Sequence, residues 1–162
     1  MTVIDLSGFD PLLVERASRV RMLVLDVDGV LTDGRLYFDN QGNEMKAFCT
    51  RDGLGIKALQ GQGIELAFIT GRQSNIVAQR AAQLGVKHVY QGRNDKLNAF
   101  NELLSDTGME EQNVCYAGDD WIDMAVAKHY SDGVSILLNN GDGTFAVQVT
   151  YAAGDQPCSV AL

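Results

Sequence analysis

Apolar runs of strand length recur along the chain, and each breaks off into polar residues at its carboxyl end. Leu23-Val24-Leu25 runs into Asp26-Val27-Asp28-Gly29, Leu66-Ala67-Phe68-Ile69 into Thr70-Gly71-Arg72, and Val114-Cys115-Tyr116-Ala117 into Gly118-Asp119-Asp120. Runs that stay apolar on successive residues belong to strands covered on both faces, as in a parallel sheet. Strands are therefore predicted at 23–27, 64–69 and 113–117, with a shorter one at His88-Val89-Tyr90. The segments between them read as helices: Pro11 to about Arg19 behind an Asp10 N-cap, Gly53 to Gln62, 73–84 closed by Gly85, 95–107 and 121–129. Strands alternating with helices imply an α/β fold, a Rossmann-like parallel sheet with helices on both faces. One segment breaks the alternation. Residues 34–48 hold two β-prone stretches around Asn40-Gln41-Gly42-Asn43, the turn chemistry of a β-hairpin.

Composition narrows the classes. A chain of 162 residues, 46% hydrophobic, suits a single domain over 1–162 with a full core. A net charge of −8 argues against nucleic acid or an anionic membrane as partner. No apolar stretch approaches the roughly 20 residues that span a bilayer, and the first residues lack a basic-then-apolar signal pattern, so a cytoplasmic protein is expected. Cys49, Cys115 and Cys158 make neither a CxxC pair nor a disulfide framework, which fits reduced thiols in that compartment. His88 and His129 show no metal-ligand spacing.

The candidate chemistry sits where the strands end. Asp26 and Asp28 would share a face if the strand ran straight, and Gly29 lets the chain turn so that both converge at its carboxyl end. Open α/β sheets bind ligands there. Two carboxylates held close repel unless a cation lies between them or one keeps its proton. A solvated Asp-x-Asp-Gly turn is the plain alternative. Thr70-Gly71-Arg72, Lys96 and Gly118-Asp119-Asp120-x-x-Asp123 add a hydroxyl, cations and further acids at later strand ends. Thr70 equally suits a helix N-cap, and Lys96 a solvated position on its helix.

Taken in order, Asp26-x-Asp28-Gly29-Val30, Thr70-Gly71-Arg72, Lys96 and Gly118-Asp119-Asp120-x-x-Asp123 resemble the motif series of the haloacid dehalogenase-like hydrolases, mostly Mg²⁺-dependent phosphatases. The resemblance implies that Asp26 attacks phosphorus and becomes an aspartyl-phosphate, while Asp28 protonates the leaving alcohol and then deprotonates water. It gives Mg²⁺ to Asp26, Asp119 and the Asp28 backbone carbonyl. Thr70 then donates to a phosphoryl oxygen, and Lys96 supplies charge to the transition state. Asp120 and Asp123 support, one of them orienting Lys96 or capping the next helix. An acidic protein with an anionic substrate must gather positive charge locally. Arg51, Arg72, Arg93 and Lys96 are the candidates, and Gly29 and Gly71 would line the substrate site.

Only about forty residues separate Asp28 from Thr70, too few for the large cap domain of many such hydrolases. Together with the hairpin, Asp52-Gly53-Leu54-Gly55-Ile56-Lys57 and Gln91-Gly92-Arg93, the motifs resemble the capless 3-deoxy-D-manno-octulosonate 8-phosphate phosphatase family over roughly residues 20–123. That implies a sugar-phosphate substrate in lipopolysaccharide biosynthesis and a homotetramer in which the hairpins assemble and a neighbour closes each site. A nine-carbon sialic-acid-type 9-phosphate is the alternative substrate, and a non-catalytic assembly subunit the alternative role. Residues 124–162 depart from that family. Asp132-Gly133-Val134-Ser135-Ile136-Leu137-Leu138-Asn139-Asn140-Gly141-Asp142-Gly143 resembles an FG-GAP-type propeller repeat, although 134–138 also has the length of a closing strand. A single repeat cannot bury its own apolar face, so an adhesion propeller is not expected.

Overall fold

The computed structural model describes residues 8, 9, 11–119, 123 and 126. Helix α1 (Pro11–Arg19) leads into β1 (Met22–Leu25), followed by the hairpin strands β2 (Tyr37–Phe38) and β3 (Glu44–Met45). Then come α2 (Thr50–Gly61), β4 (Glu65–Ile69), α3 (Asn75–Leu84), β5 (His88–Tyr90), α4 (Lys96–Thr107), a single 3₁₀ turn and β6 (Val114–Ala117). The main sheet has the order β5-β4-β1-β6, with β1 parallel to both β4 and β6 and β5 parallel to β4.

The apolar strand runs divide by alternation between the two faces. Leu66 and Phe68 of β4 pack with Ile56 of α2 and Val77, Ala81 and Leu84 of α3, while Ala67 and Ile69 pack with Ala99, Phe100 and Leu103 of α4. Both faces are thus covered, as predicted, and the three carboxyl ends that matter, those of β1, β4 and β6, lie side by side. The hairpin forms around Asp39, whose Oδ1 accepts from the Gln41 and Asn43 amides at 2.8 Å each, an Asx-type turn.

Several boundaries shift by a residue or more from the sequence reading, and three shifts bear on the site. Strand β1 ends at Leu25 rather than Val27, although the Asp26 amide still donates to Ala117 O at 2.9 Å. The chain then turns at once, with the Leu31 amide returning to Val27 O. Helix α2 starts at Thr50 rather than Gly53, so Arg51 belongs to a helical first turn and not to a loop. Helix α3 starts at Asn75 with Ser74 as N-cap, which removes the capping role from Thr70. The predicted helix 121–129, the strand-like 134–138, Asp10 and Asp120 lie outside the described residues, apart from Asp123 and Val126.

Candidate active site

Asp26 leaves the end of β1 with its carboxylate almost fully buried, facing Lys96 from the first turn of α4. Lys96 Nζ lies 3.0 Å from Asp26 Oδ2 and donates to Asp123 Oδ1 at 2.7 Å. Tyr116 of β6 donates to the same Asp123 oxygen at 2.6 Å. Local sequence explains the placing of Lys96: Asp95 caps α4 by accepting from the Asn98 amide, which fixes the next residue in the first turn.

Among the described residues, two carboxylates share one ammonium here, and carboxylates gathered in this way favour a proton or a cation. Burial, reinforced by the Asp123 carboxylate and opposed by Lys96, pushes the Asp26 carboxyl up to about 7. Burial on its own would lower the Lys96 ammonium, but Asp26 and Asp123 outweigh it and hold that ammonium above its ordinary value.

The donor set fits a hard divalent cation. Asp26, Asp119 and Asp123 each offer an oxygen, all within 4.8 Å of one another, and Asp119 is the exposed member. Two glycines create this cradle. A Cβ at Gly29 would overlap the Asp119 carboxylate, and one at Gly118 would overlap that of Asp123. Gly29 also has φ +95°, a conformation that other residues rarely adopt, so both the turn after Asp28 and the approach of Asp119 depend on it. Gly29→Ala is therefore expected to weaken Mg²⁺ binding by tenfold or more, on the order of 1–3 kcal/mol of strain plus lost ligation. Isothermal titration of the metal into the folded variant checks this.

Thr70 is buried at the end of β4, its amide on Tyr90 O at 2.9 Å and its carbonyl taking the Arg93 amide at 3.0 Å. The loops after β4 and β5 are thereby clasped together, and Gly71 stands against Asn94 of the second loop. Asp28 behaves differently from the reading of two converging carboxylates. Its carboxylate turns to Lys46, beside the hairpin, and Asp123 takes the third place in the acidic cluster. The Asp28 backbone carbonyl, the atom that the resemblance assigns to the metal, is not involved in that side-chain pairing. Arg72 is half exposed and bonded to Glu44 at 2.9 Å. Arg93 is held by Glu102 of α4 through two bonds of 2.6 and 2.7 Å, and Arg51 sits in the first turn of α2 beside Cys49.

Sequence reasoning missed Glu44, Lys46, Ser74 and Tyr116. Glu44 and Lys46 flank the exposed Met45 with strand period, a signal that both charges face the same way.

No family model matches the chain. A parallel sheet with an acid-and-lysine cluster at adjoining carboxyl ends matches the core expected of a haloacid dehalogenase-like hydrolase, and the solved structures place the chain in that superfamily. A hydrolase of HAD superfamily subfamily III A from Legionella pneumophila superposes with a TM-score of 0.70 at 42% identity, covering 72% of this chain and 64% of that one. The 3-deoxy-D-manno-octulosonate 8-phosphate phosphatase KdsC of Salmonella typhimurium is 45% identical over 147 residues, 89% of this chain and 77% of its own length. KdsC of Escherichia coli is 45% identical over 124 residues, 76% of this chain and 66% of that protein. The Moraxella catarrhalis phosphatase, crystallised with magnesium ion, phosphate ion and KDO, gives a TM-score of 0.70 at 41% identity, covering 74% of this chain and 68% of that one. The chain belongs to the 3-deoxy-D-manno-octulosonate 8-phosphate phosphatase (KdsC) family.

Proposed function

We propose that this protein is a Mg²⁺-dependent phosphatase that hydrolyses 3-deoxy-D-manno-octulosonate 8-phosphate, a step of lipopolysaccharide biosynthesis. The observation that carries the reading is the buried Asp26–Lys96–Asp123 cluster with Asp119 in reach, in a chain 45% identical to KdsC proteins. Asp26, Asp119 and Asp123 offer the carboxylates for the metal, with the Asp28 carbonyl as the ligand that the resemblance adds. When bound, Mg²⁺ neutralises the repulsion between an anionic nucleophile and a phosphate dianion.

Asp26 Oδ attacks phosphorus, and the bond to the sugar oxygen breaks as Asp28 gives that oxygen a proton. Water then loses a proton to Asp28 while its oxygen attacks phosphorus, freeing phosphate and Asp26. Lys96 holds Asp26 in place and offers its charge to the phosphoryl oxygens, with the Thr70 hydroxyl as a second donor. Asp123 keeps Lys96 oriented, and Arg72 at the rim faces the anionic substrate. A panel of sugar phosphates assayed with Mg²⁺ and with chelator tests this. The 8-phosphate of the eight-carbon acid should be preferred and chelator should abolish turnover. Preference for a nine-carbon 9-phosphate would support the alternative, and no turnover of any sugar phosphate would support the assembly subunit.

The assembly is part of the proposal. Leu36, Phe38 and Met45 of the hairpin are each more than half exposed, and such apolar positions on a short open strand pair need a partner. A homotetramer joined through residues 34–48 meets that need and lends each site a wall from its neighbour. Phe38→Asp is expected to give smaller species by light scattering, with KM for the sugar phosphate raised and small generic phosphates still hydrolysed. A cytoplasmic location accords with this substrate. No helix among the described residues is long and apolar enough to cross a membrane.

A further inference from the structure

Beside the Asp26 cluster, four charged side chains close a ring. Lys46 pairs with Asp28 Oδ1 and stands 3.5 Å from Glu44 Oε1, Glu44 accepts from Arg72 Nη2 at 2.9 Å, and Arg72 Nε lies 3.9 Å from Asp28 Oδ2. Anions and cations alternate, so each charge has an opposite on both sides and the ring as a whole is neutral. Ser74 Oγ donates to Glu44 Oε2 at 3.1 Å and fastens the ring to the start of α3.

Lys46 is the unusual member. Lysines next to exposed hairpins keep the ammonium in water. This one follows β3 directly, yet its side chain is only 1% exposed, drawn onto a carboxylate 18 residues earlier in the chain. It has no part in the cluster around Asp26.

The two oxygens of Asp28 are in unlike surroundings. Oδ1 is anchored by Lys46, whereas Oδ2 is buried with no hydrogen-bond partner among the described residues and with Arg72 Nε 3.9 Å away, beyond hydrogen-bond reach. A carboxyl that must carry a proton in a set direction needs this asymmetry: one oxygen fixes the plane, and the other is left for the proton. From this geometry we infer that Lys46 is a positioning residue for Asp28, holding it so that Oδ2 faces the reacting oxygen. The inference rests on the proton-transfer role given to Asp28 above. In the first step the proton passes from Oδ2 to the sugar oxygen as its bond to phosphorus breaks and the Asp26–phosphorus bond forms. In the second, a water proton returns to Oδ2 as the water oxygen bonds to phosphorus and the Asp26–phosphorus bond breaks. Lys46 keeps its own proton throughout.

The test compares two leaving groups. A sugar alkoxide needs the proton, whereas p-nitrophenolate departs without one. Lys46→Met should therefore lower kcat/KM for the sugar phosphate on the order of 10–100-fold. The value for p-nitrophenyl phosphate should change by a few-fold at most, with unaltered circular dichroism and light scattering. Lys46→Arg, which still offers a donor to Oδ1, should recover most of the loss, and it carries the test if Lys46→Met does not fold. Equal losses on both substrates in a folded variant would overturn the inference. So would a raised KM with kcat unchanged, which would make Lys46 a binding residue, or a Lys46→Arg no better than Lys46→Met. A wild-type protein without activity on any sugar phosphate would instead remove the proposed function on which the inference stands.

Discussion

Asp26→Asn is expected to abolish phosphate release while leaving the protein as stable as the parent when both are melted without metal. The two halves of this result have different causes. An amide nitrogen or oxygen is too poor a nucleophile to displace a sugar alkoxide from phosphorus, so turnover should fall below detection. The fold, in contrast, disfavours the ionised carboxyl at this place, because burial and Asp123 outweigh the help of Lys96. An amide of the same shape removes that cost and can still accept from Lys96. Phosphate release and differential scanning calorimetry on one preparation measure both halves. Retained turnover would remove the covalent route through Asp26, whereas a large drop in melting temperature would mean that the Asp26–Lys96 pair contributes more to stability than burial takes away.

Lys96→Met should have the opposite profile, losing stability as well as turnover. Lys96 lies 2% exposed between two carboxylates that are themselves buried, at 3.0 and 2.7 Å. Removing the cation takes away the ammonium that both carboxylates share, and breaking buried pairs in this way costs about 3–5 kcal/mol. That is a large part of the roughly 5–15 kcal/mol by which domains are stable. Methionine keeps the length and packing of the side chain, so the loss reports on charge rather than on a cavity. Turnover should fall by about 100–1000-fold as well, the usual effect of deleting one donor to developing charge. Urea titration and steady-state kinetics check the two figures. A variant as stable as the parent would show that Asp26 and Asp123 are not both ionised in the folded protein.

The strands and most of the acids were legible because burial and chemistry leave separate marks on the sequence. Leu66 to Ile69 must be apolar on both faces to lie between α3 and α4, and the first polar residue after the run, Thr70, is where the sheet meets the site. What was not legible depends on contacts between distant segments. Whether the strand through Asp26 continues to Asp28 is decided by the turn back to Val27 O, and that turn sends the two carboxylates to different partners. Cys49 caps α2 without a side-chain bond, so the sequence carries no start signal at that end. Arg93 looked available to a substrate until the fold brought Glu102 within two bonds of it. Lys46 gave a turn-and-strand signal only, since its partner lies across the hairpin and the loop after β1.

Asp26 and Asp28 stand one residue apart, yet each meets its own lysine, delivered by a different element. Lys96 comes from a helix embedded in the core, where Phe100 and Leu103 of the same helix are fully buried and tolerate little change. Lys46 comes from the rim, beside a strand pair of two residues each, much of which faces solvent. On the proposed mechanism, the attack on phosphorus is thus tied to a part of the molecule that can hardly drift, and the orientation of the proton donor to the departing alcohol to a part that can. A lineage could vary the exposed positions of the hairpin, Leu36, Phe38 and Met45 among them, and keep the phosphoryl-transfer apparatus as long as Lys46 and Glu44 stay.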